Sequence, residues 1–111
     1  MIHLRQPDLF VGMNQTERVY ALILEAAKRN GALRSWRYEC VTLKLADGVR
    51  YTPDFLVIRG DGTAEFHEVK GGFIRDDARV KLRVAARQFP EFVFQLAQCT
   101  RGQWTVTEIA R

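Results

Sequence analysis

Two carboxylates and a lysine lie near the ends of two strand-like runs in the middle of the chain. Asp54 follows a proline, and thirteen residues separate it from the triplet Glu68-Val69-Lys70. Two like charges in one place favour a hard divalent cation, which takes oxygen ligands and neutralises their repulsion. Lys70 lies two residues beyond Glu68 and therefore points to the same side of its strand. This set of groups predicts metal-assisted hydrolysis of a phosphodiester bond.

The surrounding residues favour a site over an accidental placement. A Glu-x-Lys triplet alone is common on solvated strands, where the two side chains pair without a further role. Here apolar residues flank both carboxylates, Pro53 marks a break in the strand ladder, and Gly71-Gly72 opens the backbone beyond the triplet. If the turn at 60–62 closes a hairpin, Asp54 lies near Glu68 across the strand pair.

The first element that must position these groups is a helix that begins after Asn14. Asn14 and Glu17 have the spacing of a capping box, in which each side chain bonds the backbone of the other residue. Asn30-Gly31 supplies a left-handed stop. Apolar residues at helical spacing predict the face that packs on the core: Val19, Leu22, Ile23, Ala26 and Ala27.

Three strand-like runs follow the helix. The first spans 36–45 and changes phase near Cys40, which predicts a bulge or bend. Asp47-Gly48 predicts a tight hairpin into a second strand over 49–59, and a third strand spans 63–70.

A second helix and two further strands complete the pattern. The helix begins at Asp76 or Asp77 and ends near Phe89, because the residue before Pro90 disfavours helix. The two strands expected after it are 92–97 and 104–109. The order α-β-β-β-α-β-β predicts an α/β fold in which helices flank a central mixed sheet.

Length and composition describe one folded domain. The chain has 111 residues, of which 47% are apolar and 27% charged, and this balance is typical of globular proteins. We expect a single domain over residues 1–111 with an irregular N-terminal arm at 1–13. No apolar run approaches the ~20 residues that cross a bilayer, and the first residues lack the layout of a signal peptide. The prediction is a cytoplasmic protein with no membrane partner.

The net charge of +4 is unevenly distributed. Residues 1–69 hold nine basic and nine acidic residues, whereas 70–111 hold eight basic and four acidic. Much of this surplus lies on the second helix, where arginines are spaced by four, and one more precedes it. A solubilising surface is one interpretation, and contact with DNA phosphates is the one we favour. The predicted nucleic-acid-binding residues are Arg75, Arg79, Arg83 and Arg87.

These motifs resemble the PD-(D/E)XK nuclease superfamily. The matching stretches are 51–58, which contains Pro53-Asp54, and 66–72, which contains Glu68-Val69-Lys70, and the element order matches over nearly the whole chain. The resemblance is greatest to small single-domain endonucleases encoded by bacteriophages. In those, a glutamate on the first helix precedes a tyrosine, and Glu17 stands in that place here. The resemblance implies a restriction-endonuclease-like core.

The resemblance also implies a role for each residue. Asp54 and Glu68 would bind Mg²⁺ or Mn²⁺, as one ion or two, and the backbone carbonyl of Val69 would complete the site. Lys70 would position the attacking water or stabilise the charge on the phosphate. Glu17 would bind the metal directly or through water, although the capping box already gives it a structural role. Glu25 is the alternative glutamate. His67 alternates to the face opposite Glu68, which favours a packed or solvated histidine over a general base.

The function implied is that of a metal-dependent deoxyribonuclease, an endonuclease that selects branched, nicked or flapped DNA during phage or mobile-element DNA processing. Cleavage of a duplex would favour a homodimer, with the N-terminal arm and Trp104 as interface candidates. The alternative is a catalytically inactive nucleic-acid-binding module or nuclease subunit on the same fold. A third hypothesis is a small structural protein in which the Glu-Val-Lys triplet is accidental.

Overall fold

Two helices and a central sheet organise residues 10–111, the part of the chain that the computed structural model describes. The elements within this range are α1 (Gln15–Arg29), β1 (Leu33–Tyr38), β2 (Leu43–Lys44), a 3₁₀ turn (Ala46–Gly48), β3 (Arg50–Tyr51), β4 (Phe55–Arg59), β5 (Ala64–Gly71), α2 (Asp76–Gln88), β6 (Val93–Thr100) and β7 (Gln103–Glu108).

The central sheet has the strand order β1-β4-β5-β6-β7. The β1/β4, β4/β5 and β6/β7 pairs are antiparallel, whereas β5 and β6 are parallel. A parallel pair needs a crossover connection, and α2 provides it. The predicted α/β class, with a mixed sheet flanked by helices, is therefore confirmed.

The predicted second strand is not continuous. β3 ends at Tyr51 and β4 begins at Phe55, so the chain leaves the ladder over the three residues that include Pro53 and Asp54. The Asp47-Gly48 turn joins β2 to β3 in a separate two-stranded sheet and does not enter the central one. Proline lacks the N–H that a ladder position requires, which explains the break.

Each face of the sheet carries its own core. On one face, buried α2 side chains such as Leu82 and Ala85 pack against Phe66 of β5 and Phe94 of β6. On the other face, α1 packs over β4 and the remaining positions of β5, including Val69. Because side chains alternate along a strand, β5 contributes to both cores.

The predicted core face of α1 is wrong. Val19, Leu22 and Ile23 are 38%, 58% and 43% exposed, Ala26 is exposed and Ala27 is half-buried. The face that packs on the sheet is rotated around the helix and consists of Glu17, Tyr20, Ala21 and Leu24. Both sets have helical spacing. The second set can be buried because the Tyr20 hydroxyl and the Glu17 carboxylate find hydrogen-bond partners in the protein interior.

The capping box and the second helix follow the prediction. Asn14 and Glu17 bond each other's backbone N–H groups at 2.9 and 2.8 Å. α2 begins at Asp76 and ends at Gln88, just before the Phe89-Pro90 pair. β6 extends to Thr100, three residues beyond the predicted end of that strand.

The N-terminal arm falls largely outside the described residues, since these begin at Phe10. Within the described part, Phe10 packs against the α1-side core and Met13 is buried in it. Neither helix in residues 10–111 has the length and apolar character that a membrane span requires.

Candidate metal and active site

Asp54 lies in the gap between β3 and β4, where its carboxylate reaches β5. Its Oδ2 accepts a 2.8 Å hydrogen bond from the backbone N–H of Val69. Burial, followed by the negative charge of Glu68, raises the pKa of Asp54 to about 8, while the Val69 N–H opposes that rise. The negative charge of Glu17 raises the pKa further. The hydrogen bond places the Asp54 carboxylate at the β5 residue that follows Glu68.

Glu68 accepts a hydrogen bond from one neutral donor and lies in an ion pair with one cation. The Tyr51 hydroxyl donates to Oε1 at 2.7 Å, and Nζ of Lys70 lies 3.6 Å from Oε2. Burial and the Glu68 charge raise the pKa of Tyr51, so its hydroxyl remains protonated and keeps donating. Glu68 thus presents a fixed carboxylate, with Lys70 on the same side of the strand.

Glu68 and Lys70 line a cavity of about 350 Å³ between β5 and α2. The other residues that line it come from the end of β3 and from the first half of α2: Tyr51, Thr52, Asp77, Ala78, Lys81 and Leu82. This cavity is open to solvent on the α2 side of the sheet, so the carboxylate and the ammonium are accessible to a ligand.

Glu17 approaches Asp54 from α1 and is not one of the residues that line the cavity at Glu68. It is 7% exposed, and its Oε1 accepts hydrogen bonds from the backbone N–H of Asn14 at 2.9 Å and from the Tyr38 hydroxyl at 3.0 Å. Its carboxylate is also within 4.8 Å of that of Asp54. Glu17 therefore combines the helix cap with a position beside the site. Glu25 instead accepts a hydrogen bond from the Trp36 indole at 3.0 Å.

The approach of α1 to β5 depends on Gly71. A Cβ atom at this position would lie 3.2 Å from Oγ1 of Thr16, in the first turn of the helix. The missing side chain lets this turn, with Glu17 on it, come close to the end of β5. The glycine that follows the Glu-Val-Lys triplet thus has a packing role.

Glu39 is a residue that sequence reasoning missed. Glu17, Glu39 and Asp54 form a group in which the carboxylate oxygens lie within 4.8 Å of one another. Glu39 follows β1 with a positive φ of 46°, and its backbone N–H donates to the carbonyl of Asp54 at 2.9 Å. The only sequence signal was an acidic residue at the phase change near Cys40, and that change predicted a bend and not a ligand.

The donor set suits a hard divalent cation. Glu17, Glu39 and Asp54 bring three carboxylates together, from α1, the end of β1 and the stretch before β4, and Glu68 lies outside this group. Oxygen ligands of this kind favour Mg²⁺ or Mn²⁺. A cation among them would relieve the repulsion that raises the pKa of Asp54. Val69 contributes its N–H to Asp54, and a role for its carbonyl as a ligand stays a prediction.

His67 lies on the opposite side of β5 from Glu68, as the alternation predicted. It is buried, with Nδ1 2.6 Å from the Tyr20 hydroxyl and Nε2 2.8 Å from Oε1 of Glu65. Arg59 also lies 3.6 Å from Glu65. The hydrogen bond from His67 is the main cause that lowers the pKa of Glu65. This buried chain ties α1 to β5.

Arg79, Arg83 and Arg87, spaced by four along α2, form an arginine ridge that the structure separates from the cavity at Glu68. Arg79 and Arg83 line a different groove of about 300 Å³, which they form with residues of β6, β7 and the C-terminal tail. Arg75 lies 3.4 Å from Asp77 at the start of α2, and Arg87 is exposed. Among the basic residues of α2, it is Lys81 that lines the cavity beside Glu68 and Lys70. Lys81 is not one of the four residues that the sequence predicts to bind nucleic acid.

Known proteins resemble this chain in structure. No protein-family model and no curated protein sequence matches it. The crystal structure of SSO0001 matches with a TM-score of 0.52 and 16% identity over 85% of this chain, which spans half of the length of that structure. Archaeoglobus fulgidus Hjc, a Holliday junction resolvase from an archaeal hyperthermophile, matches with a TM-score of 0.49 and 19% identity, over 83% of this chain and 75% of Hjc. At these identities the similarity concerns the fold.

Proposed function

We propose that this protein is a divalent-metal-dependent endonuclease of the PD-(D/E)XK type that hydrolyses phosphodiester bonds in DNA. The observation that carries the proposal is that the Asp54 carboxylate is bonded to the backbone of Val69, between Glu68 and Lys70, and that these last two line the α2-side cavity. Asp54 bonds the N–H of Val69 at 2.8 Å, and Lys70 lies 3.6 Å from Glu68. The sequence motif and the geometry thus support the same chemistry.

The metal would be Mg²⁺ or Mn²⁺, held by Asp54, Glu68 and Glu17 with the carbonyl of Val69. Such an ion, when bound, activates a water and stabilises negative charge on the phosphate. The protein's own contribution is to hold these carboxylates in place before the ion arrives. The Tyr51 hydroxyl and the Asn14–Glu17 cap do this for two of them.

Lys70 is the cationic member of the site. Its side chain is 38% exposed, and its Nζ lies 3.6 Å from Oε2 of Glu68 at the wall of the open cavity. As an ammonium group it can orient the attacking water by hydrogen bonding and offset the negative charge that grows on the phosphate oxygens. Loss of this amine should lower the rate of cleavage more than the affinity for DNA.

The substrate we propose is DNA with a branch, nick or flap. The basic surplus after residue 69 favours a polyanion, and Arg75, Arg79, Arg83 and Arg87 would follow phosphates outside the site. Phosphate contacts of this kind set affinity without reading sequence, which suits recognition of DNA shape. We further propose a phage or mobile-element origin, action in the cytoplasm, and a homodimer for cutting both strands.

The test uses a labelled panel of single-stranded, duplex, flapped and four-way-junction DNA, with Mg²⁺ or Mn²⁺ and with chelator. We expect metal-dependent cleavage, greatest on a branched substrate, that is lost in Lys70→Ala and Asp54→Ala. Binding of Mn²⁺ by calorimetry should be lost in Asp54→Ala and kept in Lys70→Ala. Equal cleavage by wild type and Lys70→Ala would reject the proposal. DNA binding without cleavage would favour the inactive binding module.

A further inference from the structure

We propose that the cavity between β5 and α2 is a phosphate-binding subsite for the DNA strand and that Lys81 is its anchoring cation. This inference rests on the proposed nuclease function. It assigns the phosphate contact next to the scissile bond to a residue that belongs neither to the Glu-Val-Lys motif nor to the arginine ridge.

The position of Lys81 relative to Glu68 carries the argument. Lys81 is half-buried on α2, and its Nζ lies 5.6 Å from the centroid of the Tyr51 ring. The hydroxyl of the same tyrosine donates to Glu68 at 2.7 Å. The aromatic face attracts the ammonium group, and the aliphatic part of the lysine packs along the wall of the cavity. Lys81 is therefore held one aromatic ring away from a proposed metal ligand.

The charge of Lys81 is available to a ligand. None of the ion pairs formed within residues 10–111 includes it. Lys70, by contrast, already pairs with Glu68 at 3.6 Å. A cation that is half-buried and unpaired, at the wall of an open cavity, suits an anionic group that enters from solvent.

Besides Glu68, a second acidic residue lines this cavity, and its charge is partly offset. Asp77 lies four residues before Lys81 and therefore on the same side of α2. Its Oδ1 is 3.4 Å from Nε of Arg75. Removal of this carboxylate should strengthen DNA binding at the subsite, which is the opposite of the effect expected for removal of Lys81.

The helical arrangement distinguishes this subsite from the arginine ridge. Arg79 and Arg83 line the groove against β6 and β7, on the other flank of α2. The ridge can reach phosphates only beyond the cavity, whereas Lys81 faces the cavity that contains Glu68 and Lys70. Contacts from the arginine ridge should therefore require DNA that extends beyond the cleavage site, whereas the contact from Lys81 should not.

The experiment compares Lys81→Gln with Lys28→Gln, the same change on exposed Lys28 of α1. Binding of a flapped DNA is measured against salt concentration in chelator, and cleavage kinetics are measured in Mn²⁺. For Lys81→Gln we expect a higher Kd and KM, with the slope of log K against log salt shallower by about 0.9 on duplex DNA. Lys28→Gln should match wild type, Lys81→Arg should restore binding, and Asp77→Asn should lower Kd.

Two further measurements separate this inference from simpler explanations. The melting temperature and the affinity for Mn²⁺ should be unchanged in Lys81→Gln, which distinguishes loss of a ligand contact from loss of structure. On the shortest DNA that is still cleaved, Lys81→Gln should keep its effect and Arg83→Gln should lose its effect.

The possible failures are distinguishable. Cleavage by wild type with unchanged Kd, KM and salt slope in Lys81→Gln overturns the subsite and leaves the proposed function standing. An effect of Arg83→Gln on the shortest DNA, with none from Lys81→Gln, also overturns it. Absence of Mn²⁺ binding and of cleavage in wild type overturns the proposed function, and the subsite with it.

Discussion

The backbone N–H of Val69 donates a 2.8 Å hydrogen bond to Oδ2 of Asp54. The two residues are fifteen positions apart and lie outside the register of the β4/β5 ladder, which ends at the Phe55–His67 pair. This bond fixes the carboxylate that precedes β4 against the stretch of β5 that carries Glu68 and Lys70. The two halves of the motif are thereby held together without any ligand. Negative charges are crowded as a result, which raises the pKa of Asp54.

Asp54→Asn should abolish metal binding while making the metal-free protein more stable. The amide oxygen of asparagine can still accept from Val69, and the substitution removes a carboxylate whose burial and proximity to Glu68 oppose ionisation. We expect a higher melting temperature than wild type in chelator at about pH 8. Calorimetry with Mn²⁺ checks the loss of binding. A lower melting temperature would contradict the crowding of charges described here.

The stability of the metal-free protein should fall as the pH rises. The pKa of Asp54 is about 8 in the folded protein and ~3.9 in an unfolded chain. Between these values the folded state keeps a proton that the unfolded state has released, so stability decreases from about pH 4 to about pH 8. Thermal unfolding across this range in chelator measures the slope. Asp54→Asn should flatten it, and an equal slope in both proteins would refute the assignment.

Tyr51→Phe isolates the hydrogen bond that orients Glu68. The ring and its packing remain, and only the donor 2.7 Å from Oε1 is lost. Groups that orient a metal ligand typically change metal affinity or activity by about 10–100-fold, and we expect a loss in this range. Mn²⁺ titration and cleavage rates provide the measurements. An unaltered affinity together with an unaltered rate would mean that Lys70 alone is enough to position Glu68.

Two leucines on α1 allow a matched test of which helix face is buried. Leu24 is 4% exposed and Leu22 is 58% exposed. Leu24→Ala should destabilise the protein by about 2–5 kcal/mol, because it leaves a cavity in the core. Leu22→Ala should change stability by no more than about 0.5 kcal/mol. Urea denaturation gives both values, and a reversed order would mean that α1 packs through its other face.

Tyr20→Phe tests the buried chain that links α1 to β5. The substitution keeps the ring and removes the hydroxyl that lies 2.6 Å from Nδ1 of His67. A buried group left without its partner costs about 1–3 kcal/mol, and we expect that loss in urea denaturation. Lys28→Ala on the exposed side of the same helix serves as the control. Equal stability of the two variants would show that a different group satisfies His67.

Local signals in the sequence were enough to predict some features. The Asn14–Glu17 cap, the crossover helix and the alternation that separates His67 from Glu68 depend on neighbouring residues, and each agrees with the structure. The order of elements around the Glu-Val-Lys triplet was predictable for the same reason. Local chemistry determines where such elements begin and which way strand side chains point.

Other features depend on tertiary contacts that the sequence pattern does not contain. On α1 the apolar spacing fitted an exposed stripe, while Tyr20 and Glu17 were buried because distant partners satisfy their polar atoms. Glu39 joined the acidic group only because the chain turns after β1 and its N–H bonds the carbonyl of Asp54. The position of Lys81 beside the cavity likewise depends on how α2 is rotated against β5.

The hydroxyl that orients Glu68 comes from Tyr51, at the end of the small β2–β3 hairpin and outside the central sheet. The carboxylate and the donor that orients it therefore come from separate stretches of polypeptide, although buried Leu43, Leu45 and Tyr51 of the hairpin region also pack in the α2-side core. A replacement hairpin that keeps the buried Leu43 and Leu45 and alters only the residue at Tyr51 would change how the carboxylate is oriented, and with it the proposed nuclease chemistry, while the five-stranded sheet keeps its packing.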